Sequence, residues 1–532
     1  HSAGTEHWDF NETAFNTTWN YANVSYGNNT GTATIIVYNG NDYGNNMPAG
    51  MWVFSTATPD NCLFGGDATL TANLTCGNLG ISAGAVVTDA YSINATGDAE
   101  INGTLNASTG GPQWFGSMII NSGGTYEATA GTTEINSETG SGIAFRVNSG
   151  GTFTHSNGLV NFTGPETWFY LISGSSGNFY DLEVASGNKL SCGSNMIMSN
   201  DFIISSGEYE CAAITTVTGD TNITGTVDIN SGYAFTTGSL TINSGGTYQA
   251  TSGTTTITSE SSAGYSIYSK TGSTFTSNSG LVNVTYNGVS NIGIGDNATK
   301  LHDLHIQSST KYFNGQSNSH VKLSGDLIVY GGTVRSGSSS GEILVSGDVN
   351  VTGGTLGWSG ASGANTFGSL TINSGATYYA TSGTTEITSE NTGGYAYDND
   401  GTFTNNSGTV RFSTAAPTLI DTSGTVGSFY DLILNHASLD LIQDTALVVG
   451  NDLTVTAGNM NTSDNNYALT VTGDADVTGT LTGQASAVSL GSLTINSGGT
   501  YDATSGVTTI TSEAGSGYDL DLNSGSTFTH ND

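Results

Sequence analysis

The chain has 532 residues, among them 76 Gly and only 5 Pro, and its 43 acidic residues against 8 basic ones give a formal net charge of −35. The low Pro content excludes collagen and Pro-rich coil, and the 36% of hydrophobic residues argue against a disordered low-complexity tract. Nucleic acid and anionic membrane surfaces are not expected partners, because phosphates are bound by clustered Lys and Arg, and the eight basic residues lie scattered along the sequence.

Residues 1–60 form the first predicted domain, which is rich in aromatic side chains and lacks the repeats found further on. One interpretation is a cap that covers the first coil of a repetitive fold and prevents edge-to-edge association. The alternative is an assembly segment that docks on a neighbouring molecule by strand addition, with residues 32–38 (TATIIVY) as the best strand candidate. The candidate assembly contacts are Trp8, Phe10, Phe15, Trp19 and Tyr21.

Residues 61–532 form the second predicted domain and carry a long super-repeat. The phrase GSMIINSGGTY begins at Gly116 and returns three times as GSLTINSGGTY or GSLTINSGATY, at intervals of 122, 130 and 123 residues. Two other phrases, TFTHSNGLVNF and FYDLEV, recur with closely related sequences in the same register. Three phrases that keep one spacing indicate a true repeat architecture.

A shorter period lies inside each super-repeat. GDLIVYGGTV begins at Gly325, GDVNVTGGTL follows 22 residues later at Gly347, and GSLTIN follows another 21 residues later at Gly368. Apolar and polar residues alternate within these phrases, as in half-buried strands, and Gly-rich pairs separate them. We therefore predict an all-β fold, a single-stranded parallel β-helix (β-solenoid) with right-handed winding and about 20 coils of about 21 residues.

The four cysteines fall in two local pairs that are more than a hundred residues apart. Of the three possible connectivities, nearest-neighbour closure is the simplest, and it predicts the disulfides Cys62–Cys76 and Cys192–Cys211. Metal binding is the alternative, although no CxxC or nearby His accompanies these residues. The 19 residues between Cys192 and Cys211 approximate one coil, so this disulfide should join neighbouring coils. Disulfides, and a first residue His1 without Met or an apolar leader, indicate an extracellular, cell-surface location.

Asn-x-Ser/Thr sequons beside the predicted corners could carry glycans that project into solvent. Glycosylation and bare Asn side chains both remain open for them. The candidate sites are Asn73, Asn94, Asn102, Asn161, Asn222, Asn283, Asn297, Asn350, Asn405 and Asn461.

Two sets of polar residues could suggest a metal. The first is the recurring Gly-Asp pair, with Asp67, Asp98, Asp220, Asp326, Asp348 and Asp474. These lack the nonapeptide spacing of calcium-binding coils, so we expect corner carboxylates that accept backbone N–H bonds. The second is His302, Asp303 and His305, where alignment with FYDLEV favours packing of His302 in the wall over ligation. We predict no metal and no cofactor.

Catalysis is the main alternative class of function, since parallel β-helices can carry polysaccharide-active enzymes. A lyase needs a basic residue to abstract a proton, and a hydrolase needs two carboxylates at a defined separation. The basic residues are few and dispersed, and a catalytic groove would be unique, whereas this surface repeats. We therefore predict that the chain is not an enzyme.

The phrases SGGTYEATAGTT, GTFTHSNGLVNF, FYDLEV and GDLIVYGGTV resemble those of large repetitive β-solenoid, adhesin-like surface proteins of bacteria and archaea. The resemblance covers residues from about 62 to 532 and implies a secreted, structural or adhesive role without catalytic residues. We expect a structural subunit of a cell-surface filament, sheath or fibre that assembles head to tail with copies of itself. An adhesin stalk with a binding tip is the alternative, and surface glycans or other cells are further candidate partners.

Overall fold

A computed structural model describes residues 34–37, 61–65, 67–70, 73–164, 167–171, 178–185, 187, 189–230, 232–294, 301–307, 309–313, 321–424, 428–462, 465–513, 515 and 517–531. These residues form sixty strands and no helix. The chain divides into two compact units, unit 1 (His1–Gly253) and unit 2 (Thr254–Asp532).

The strands of unit 1 are short, as expected for a narrow solenoid. The first fourteen are β1 (Thr34–Val37), β2 (Asn61–Phe64), β3 (Ala68–Leu70), β4 (Leu74–Cys76), β5 (Asn78–Ile81), β6 (Val86–Asp89), β7 (Ile93–Ile101), β8 (Thr104–Asn106), β9 (Gln113–Ile120), β10 (Thr125–Glu127), β11 (Thr132–Ile135), β12 (Ile143–Val147), β13 (Thr152–Thr154) and β14 (Leu159–Phe162). The others are β15 (Thr167–Leu171), β16 (Asn178–Phe179), β17 (Asp181–Val184), β18 (Lys189–Cys192), β19 (Met196–Met198), β20 (Phe202–Ile204), β21 (Glu208–Cys211), β22 (Thr215–Val217), β23 (Asp220–Ile223), β24 (Thr226–Ile229), β25 (Phe235–Thr237), β26 (Ser239–Ile242) and β27 (Thr247–Gln249).

Unit 2 contains the remaining strands. The first half are β28 (Thr254–Ile257), β29 (Tyr265–Ser269), β30 (Thr274–Thr276), β31 (Leu281–Val284), β32 (Ser290–Ile294), β33 (Asp303–Ile306), β34 (Lys311–Phe313), β35 (Val321–Leu323), β36 (Leu327–Val329), β37 (Thr333–Ser336), β38 (Ile343–Val345), β39 (Val349–Val351), β40 (Thr355–Leu356), β41 (Asn365–Phe367), β42 (Leu370–Ile372), β43 (Thr377–Tyr379) and β44 (Thr384–Ile387). The second half are β45 (Tyr395–Asn399), β46 (Thr402–Thr404), β47 (Thr409–Phe412), β48 (Thr418–Asp421), β49 (Asp431–Gln443), β50 (Leu447–Val449), β51 (Leu453–Asn461), β52 (Leu469–Val471), β53 (Asp474–Val477), β54 (Thr480–Thr482), β55 (Val488–Leu490), β56 (Ser492–Ile495), β57 (Thr500–Asp502), β58 (Thr508–Ile510), β59 (Leu520–Leu522) and β60 (Thr527–Thr529).

In the regular parts of both units, each strand pairs in parallel with the third strand after it. In unit 1, β17 pairs with β20, β18 with β21 and β19 with β22. In unit 2, β36 pairs with β39, β37 with β40 and β38 with β41. One coil therefore consists of three strands, and the next coil stacks on it in register. This is the predicted parallel β-solenoid, with about 19 coils spaced about 21 residues apart where the sequence predicted about 20.

The first strand lies inside the aromatic N-terminal segment. The strand candidate at residues 32–38 is observed as β1, which pairs in parallel with β2. The candidate assembly contacts Trp8, Phe10, Phe15, Trp19 and Tyr21 all lie outside the described residues.

The alternating pattern of the GSLTIN phrase is only partly reflected in burial. Leu240 and Ile242 are fully buried, as predicted, but Ser239 is buried too and Thr241 is only 8% exposed. Ser239 is covered because its hydroxyl binds Asp220 on the coil before it, at 2.7 Å. The side chain that the sequence placed in solvent is therefore part of an inter-coil contact.

A Tyr and a Thr form a repeated polar pair inside the apolar core. Tyr126 is fully buried, and its hydroxyl lies 3.0 Å from that of Thr133. The ring stacks on Phe153 of the next coil, with centroids 5.9 Å apart. The pairs Tyr378–Thr385 and Tyr501–Thr508 repeat this contact at 3.0 and 2.7 Å. The Thr seven residues after each Tyr thus satisfies a hydroxyl that would be costly to bury unpaired.

The two glycines of the Ser-Gly-Gly corner have different roles. Gly245 has a φ of +84° and open space around it, so it supplies the left-handed backbone that other residues rarely adopt. Gly246 lies so close to the preceding coil that a Cβ would collide with the carbonyl oxygen of Ile223. The recurring pair therefore combines a backbone conformation with a close approach between coils.

Candidate functional site

Stacked carboxylates follow one corner of the coils, in rows that we call aspartate ladders. In one of them, Asp303 Oδ1 accepts the backbone N–H of Asp326 at 2.8 Å, and Asp326 Oδ1 accepts that of Asp348 at 2.7 Å. Each carboxylate thus binds the coil that follows it. The other two ladders consist of Asp181, Asp201 and Asp220, and of Asp431, Asp452 and Asp474.

A serine hydroxyl closes each ladder. Ser369 Oγ donates to Asp348 Oδ1 at 2.8 Å, and Ser239 and Ser492 donate to Asp220 and Asp474 at 2.7 Å. These serines belong to the GSLTIN phrase. A shorter version in the first super-repeat links Asn78, Asp98 and Ser117.

The glycine before each ladder Asp is required by the same contact. A Cβ on Gly347 would collide with Asp326 Oδ1 and with the backbone of Gly325. The same collision would occur between Gly325 and Asp303, between Gly473 and Asp452, and between Gly219 and Asp201. The Gly-Asp pair is therefore explained by a carboxylate that crosses over the glycine to reach the next backbone N–H.

The predicted role of the Gly-Asp carboxylates is confirmed for two of them and refined for the rest. Asp67 and Asp326 accept backbone N–H groups. The others accept Ser hydroxyl groups: Asp98, Asp220, Asp348 and Asp474. Their acceptor atoms are therefore used by the protein itself.

Burial raises the pKa of two ladder carboxyls. Desolvation raises the pKa of Asp201, and the charges of Asp220 and Asp181 add to the effect. Desolvation likewise raises the pKa of Asp348, opposed by the hydrogen bond from Ser369 and reinforced by Asp326. The stacking that gives these hydrogen bonds thus brings like charges together.

In the described part of unit 2, three aspartates lie close enough together to hold a metal ion. The ligand atoms of Asp398, Asp400 and Asp421 all lie within 4.8 Å of one another. Asp421 Oδ1 already accepts a hydrogen bond from the Thr445 hydroxyl at 3.0 Å and one from the backbone N–H of Ser423 at 2.8 Å. Exposed acidic groups with such partners are common without an ion.

The His302, Asp303 and His305 cluster is not arranged as a metal site. His302 Nδ1 lies 2.9 Å from Asp303 Oδ1, and Asp303 also holds the N–H of Asp326. Burial lowers the pKa of His305, whose ring packs against Tyr330 of the next coil with centroids 5.6 Å apart. These contacts belong to the wall of the solenoid.

The two cysteine pairs behave differently. Cys192 and Cys211 are opposite each other in the register of β18 and β21 and form a disulfide between neighbouring coils, as their spacing predicted. Cys62 and Cys76 are buried free thiols, so the disulfide expected there is not formed. A hydrogen bond with Cys76 and burial raise the pKa of Cys62.

The second cysteine pair is not aligned like the first. Cys62 stands opposite Leu79 in the pairing of β2 with β5, and Cys76 stands opposite Ala95 in the pairing of β4 with β7. The two thiols are in hydrogen-bonding contact, but they are not opposite each other in the register and no disulfide joins them.

Two lysine ammonium groups are bound by other groups of the protein. Lys189 Nζ lies 3.2 Å from Glu208 and 2.5 Å from Glu210. Lys311 is fully buried, and its Nζ donates to the backbone oxygens of Tyr286 and Gly288 at 3.0 and 2.5 Å. Burial lowers the pKa of Lys311 to about 8.

Arg335 has a different environment. Its guanidinium lies 4.6 Å from the ring centroid of Tyr312, on the coil before, and 5.0 Å from that of Trp358, on the coil after. Two aromatic rings therefore enclose the one planar cation of this region.

The predicted glycosylation sites occupy varied positions. Asn73 is exposed, and Asn94, Asn222 and Asn350 are partly exposed, whereas Asn405 Nδ2 donates to the Ser428 carbonyl at 2.9 Å. Asn297 lies outside the described residues. The other candidates, all partly exposed, are Asn102, Asn161, Asn283 and Asn461.

Among the described residues, none forms a helix long and apolar enough to cross a membrane. Comparison with protein-family models, with curated proteins and with solved structures finds no match to this chain. The chemistry of its surface therefore has to be interpreted from its own residues.

Sequence reasoning missed the serine-closed ladders and the stacked arginine. The signal for the ladders was present, since FYDLEV, the Gly-Asp phrase and GSLTIN follow one another at coil spacing. The signal for the arginine was the equal spacing of 23 residues from Tyr312 to Arg335 and from Arg335 to Trp358.

Proposed function

We propose that this chain is an extracellular structural protein, the subunit of a cell-surface filament, sheath or fibre that assembles head to tail with copies of itself. The observation that carries the proposal is the in-register parallel pairing of successive coils. Each coil covers the strand edges of the coil before it and presents strand edges of the same kind to the coil after it. A fold of this type satisfies its backbone groups by stacking, so a further coil from another copy can continue the pattern.

The side chains between coils support a load-bearing role. The aspartate ladders, the Tyr–Thr pairs and the Cys192–Cys211 disulfide all join one coil to the next. A disulfide is typical of proteins exposed to an oxidising environment, which supports an extracellular location. Side chains repeated for cohesion between coils favour a structural role over a catalytic one.

Three apolar side chains on β59 and β60 are more exposed than the residues at the same positions one super-repeat earlier. Leu520, Leu522 and Phe528 are 40%, 50% and 41% exposed, whereas the equivalent Tyr397, Asn399 and Phe403 are buried beneath a further coil. A coil stacked on β59 and β60, from the same chain or from another copy, would cover these side chains and pair both strand edges.

Electron microscopy of the purified full chain tests the proposal. We expect fibres that lengthen with protein concentration, whereas a variant with Leu522→Asp and Phe528→Asp should stay short, because charges on the edge oppose stacking. A full chain that remains monomeric by analytical ultracentrifugation at all concentrations would contradict head-to-tail assembly.

A further inference from the structure

Planar side chains occupy one outward position in consecutive coils of unit 2. Tyr265 stands opposite Asn291, Asn291 opposite Tyr312, and Tyr312 opposite Arg335 in the register of β29, β32, β34 and β37. Trp358 continues the series from the next coil by its contact with Arg335. We call these five residues the planar row. All five are partly exposed, so part of each side chain is available to a ligand.

The arginine of the planar row is held without an anionic partner. The guanidinium carbon of Arg335 lies over the rings of Tyr312 and Trp358, and these two cation–π contacts restrict the orientation of the side chain. In the part of the chain that the structure describes, no carboxylate lies within ion-pair distance of Arg335, and no oxygen accepts a hydrogen bond from it. A stacked guanidinium is thus oriented with its N–H donors unused, the geometry that suits bidentate binding of a carboxylate.

The stretch around Arg335 is less acidic than the chain as a whole. Residues 260–342 hold five basic and five acidic residues, against 8 and 43 in the whole chain. Exposed charges further away than about 8 Å are largely screened at physiological ionic strength. The net charge of −35 therefore does not prevent an anionic partner from binding beside Arg335.

We propose that the planar row binds an acidic polysaccharide that contains uronic acid residues. A uronate carboxylate accepts two hydrogen bonds from Arg335, and the C–H groups of the neighbouring sugar residues pack against the exposed edges of Tyr312 and Trp358. Coils are spaced about 4.8 Å apart, which is close to the length of one sugar residue, so the polymer lies along the stacking direction.

A peptide fits this surface less well than a polysaccharide. β34 is already paired with β32 on one side and with β37 on the other, so no strand edge is available there for β-strand addition. Recognition must use side chains alone, and these consist of flat rings and one fixed cation. This binding goes beyond structural assembly, since it would attach a fibre to an acidic glycan layer.

Affinity electrophoresis of the full chain in gels with polygalacturonate, at about 0.15 M salt, tests the proposal. Polygalacturonate with methyl-esterified carboxylates is the matched neutral polymer and should cause no retardation. Arg335→Gln should weaken binding about tenfold or more, since a hydrogen bond to a charged group is lost. Arg411→Gln is the control, because Arg411 lies on β47 of the same unit, outside the planar row.

A second variant guards against a folding defect. Tyr312→Leu removes one stacking ring and should also weaken binding, while the thermal unfolding midpoint shows whether either variant is folded. Equal retardation of wild type and the folded Arg335→Gln protein, equal retardation by both polymers, or no retardation of wild type would overturn the proposal. A loss of self-association by Arg335→Gln without polysaccharide would also overturn it, because the occupant would then be a second copy of the chain.

Discussion

The aspartate ladders and the planar row of unit 2 are both stacks of side chains on successive coils, yet they differ in what satisfies them. Every ladder carboxylate is used by the protein, as when Asp326 accepts the N–H of Asp348 and Asp348 accepts the hydroxyl of Ser369. The guanidinium of Arg335 in the planar row lies over two aromatic rings and has no ion-pair or hydrogen-bond partner among the described residues. The ladders recur in each super-repeat, whereas the series from Tyr265 to Trp358 occurs in one stretch of the sequence.

This difference distinguishes side chains that hold the coils together from side chains that could bind a ligand. A contact that every coil needs is repeated, because each coil has the same backbone groups to satisfy. A feature that interrupts the repeat and leaves polar donors unused is not needed for stacking. In a repetitive fold, the departures from the repeat are therefore the positions at which a specific function should be sought.

Gly347→Ala should give the largest loss of stability, because it disrupts a ladder at a point where neighbouring coils lie very close together. The new Cβ would collide with Asp326 Oδ1 and with the backbone of Gly325, and we expect a cost of about 3 kcal/mol. Chemical denaturation followed by circular dichroism measures it. Gly140→Ala is the control, since Gly140 has open space around its Cβ position; equal effects of the two substitutions would show that the ladder contact is not tight.

Much of this fold could be predicted from the sequence because the repeat and the register are linked. The 21- to 22-residue spacing of Gly325, Gly347 and Gly368 sets the coil length. Once coils stack in parallel, residues one coil apart must meet, which is why the Cys192–Cys211 disulfide followed from spacing alone. In such a chain, the spacing of residues along the sequence also determines which residues are in contact.

The site could be predicted less completely, because side-chain direction depends on which face each strand contributes. Cys62 and Cys76 are close in sequence and their thiols are in contact, but they are not opposite each other in the register and remain free thiols, so the disulfide predicted from their spacing was wrong. Arg335 appeared as one of several scattered cations, and only the register of β34 with β37 places it on Tyr312. Alternation predicted a solvent-facing Ser239, but its hydroxyl closes a ladder.

Asp348→Asn should have a smaller effect that depends on pH. The pKa of Asp348 is raised from 3.8 in the folded protein, so ionisation of this carboxyl destabilises the fold. The stability that the protonated carboxyl contributes is fully present below pH 3.8 and is lost as the pH rises through the folded pKa. The Asn keeps an acceptor for Ser369 without the charge, so we expect the variant to be about 0.5 kcal/mol more stable at pH 7.

Thermal unfolding at pH 7 and at a pH well below 3.8 measures this difference. The advantage of the variant should disappear at the acidic pH, where wild-type Asp348 is protonated in the folded and unfolded states. If Asp348→Asn were instead less stable at pH 7 than wild type, the carboxylate charge itself would be stabilising the ladder, and the like-charge interpretation would be wrong.

Arg335→Gln should change stability by about as little as Asp348→Asn does, although it should have the largest effect on polysaccharide binding. The substitution removes contacts with Tyr312 and Trp358, and cation–π contacts at exposed sites contribute about 0.5 kcal/mol. The unfolding midpoint, compared with that of Arg411→Gln, measures the change. A loss of stability as large as that of Gly347→Ala would show that Arg335 is needed to hold the coils together. The absence of an anionic partner would then no longer be a reason to assign Arg335 to ligand recognition.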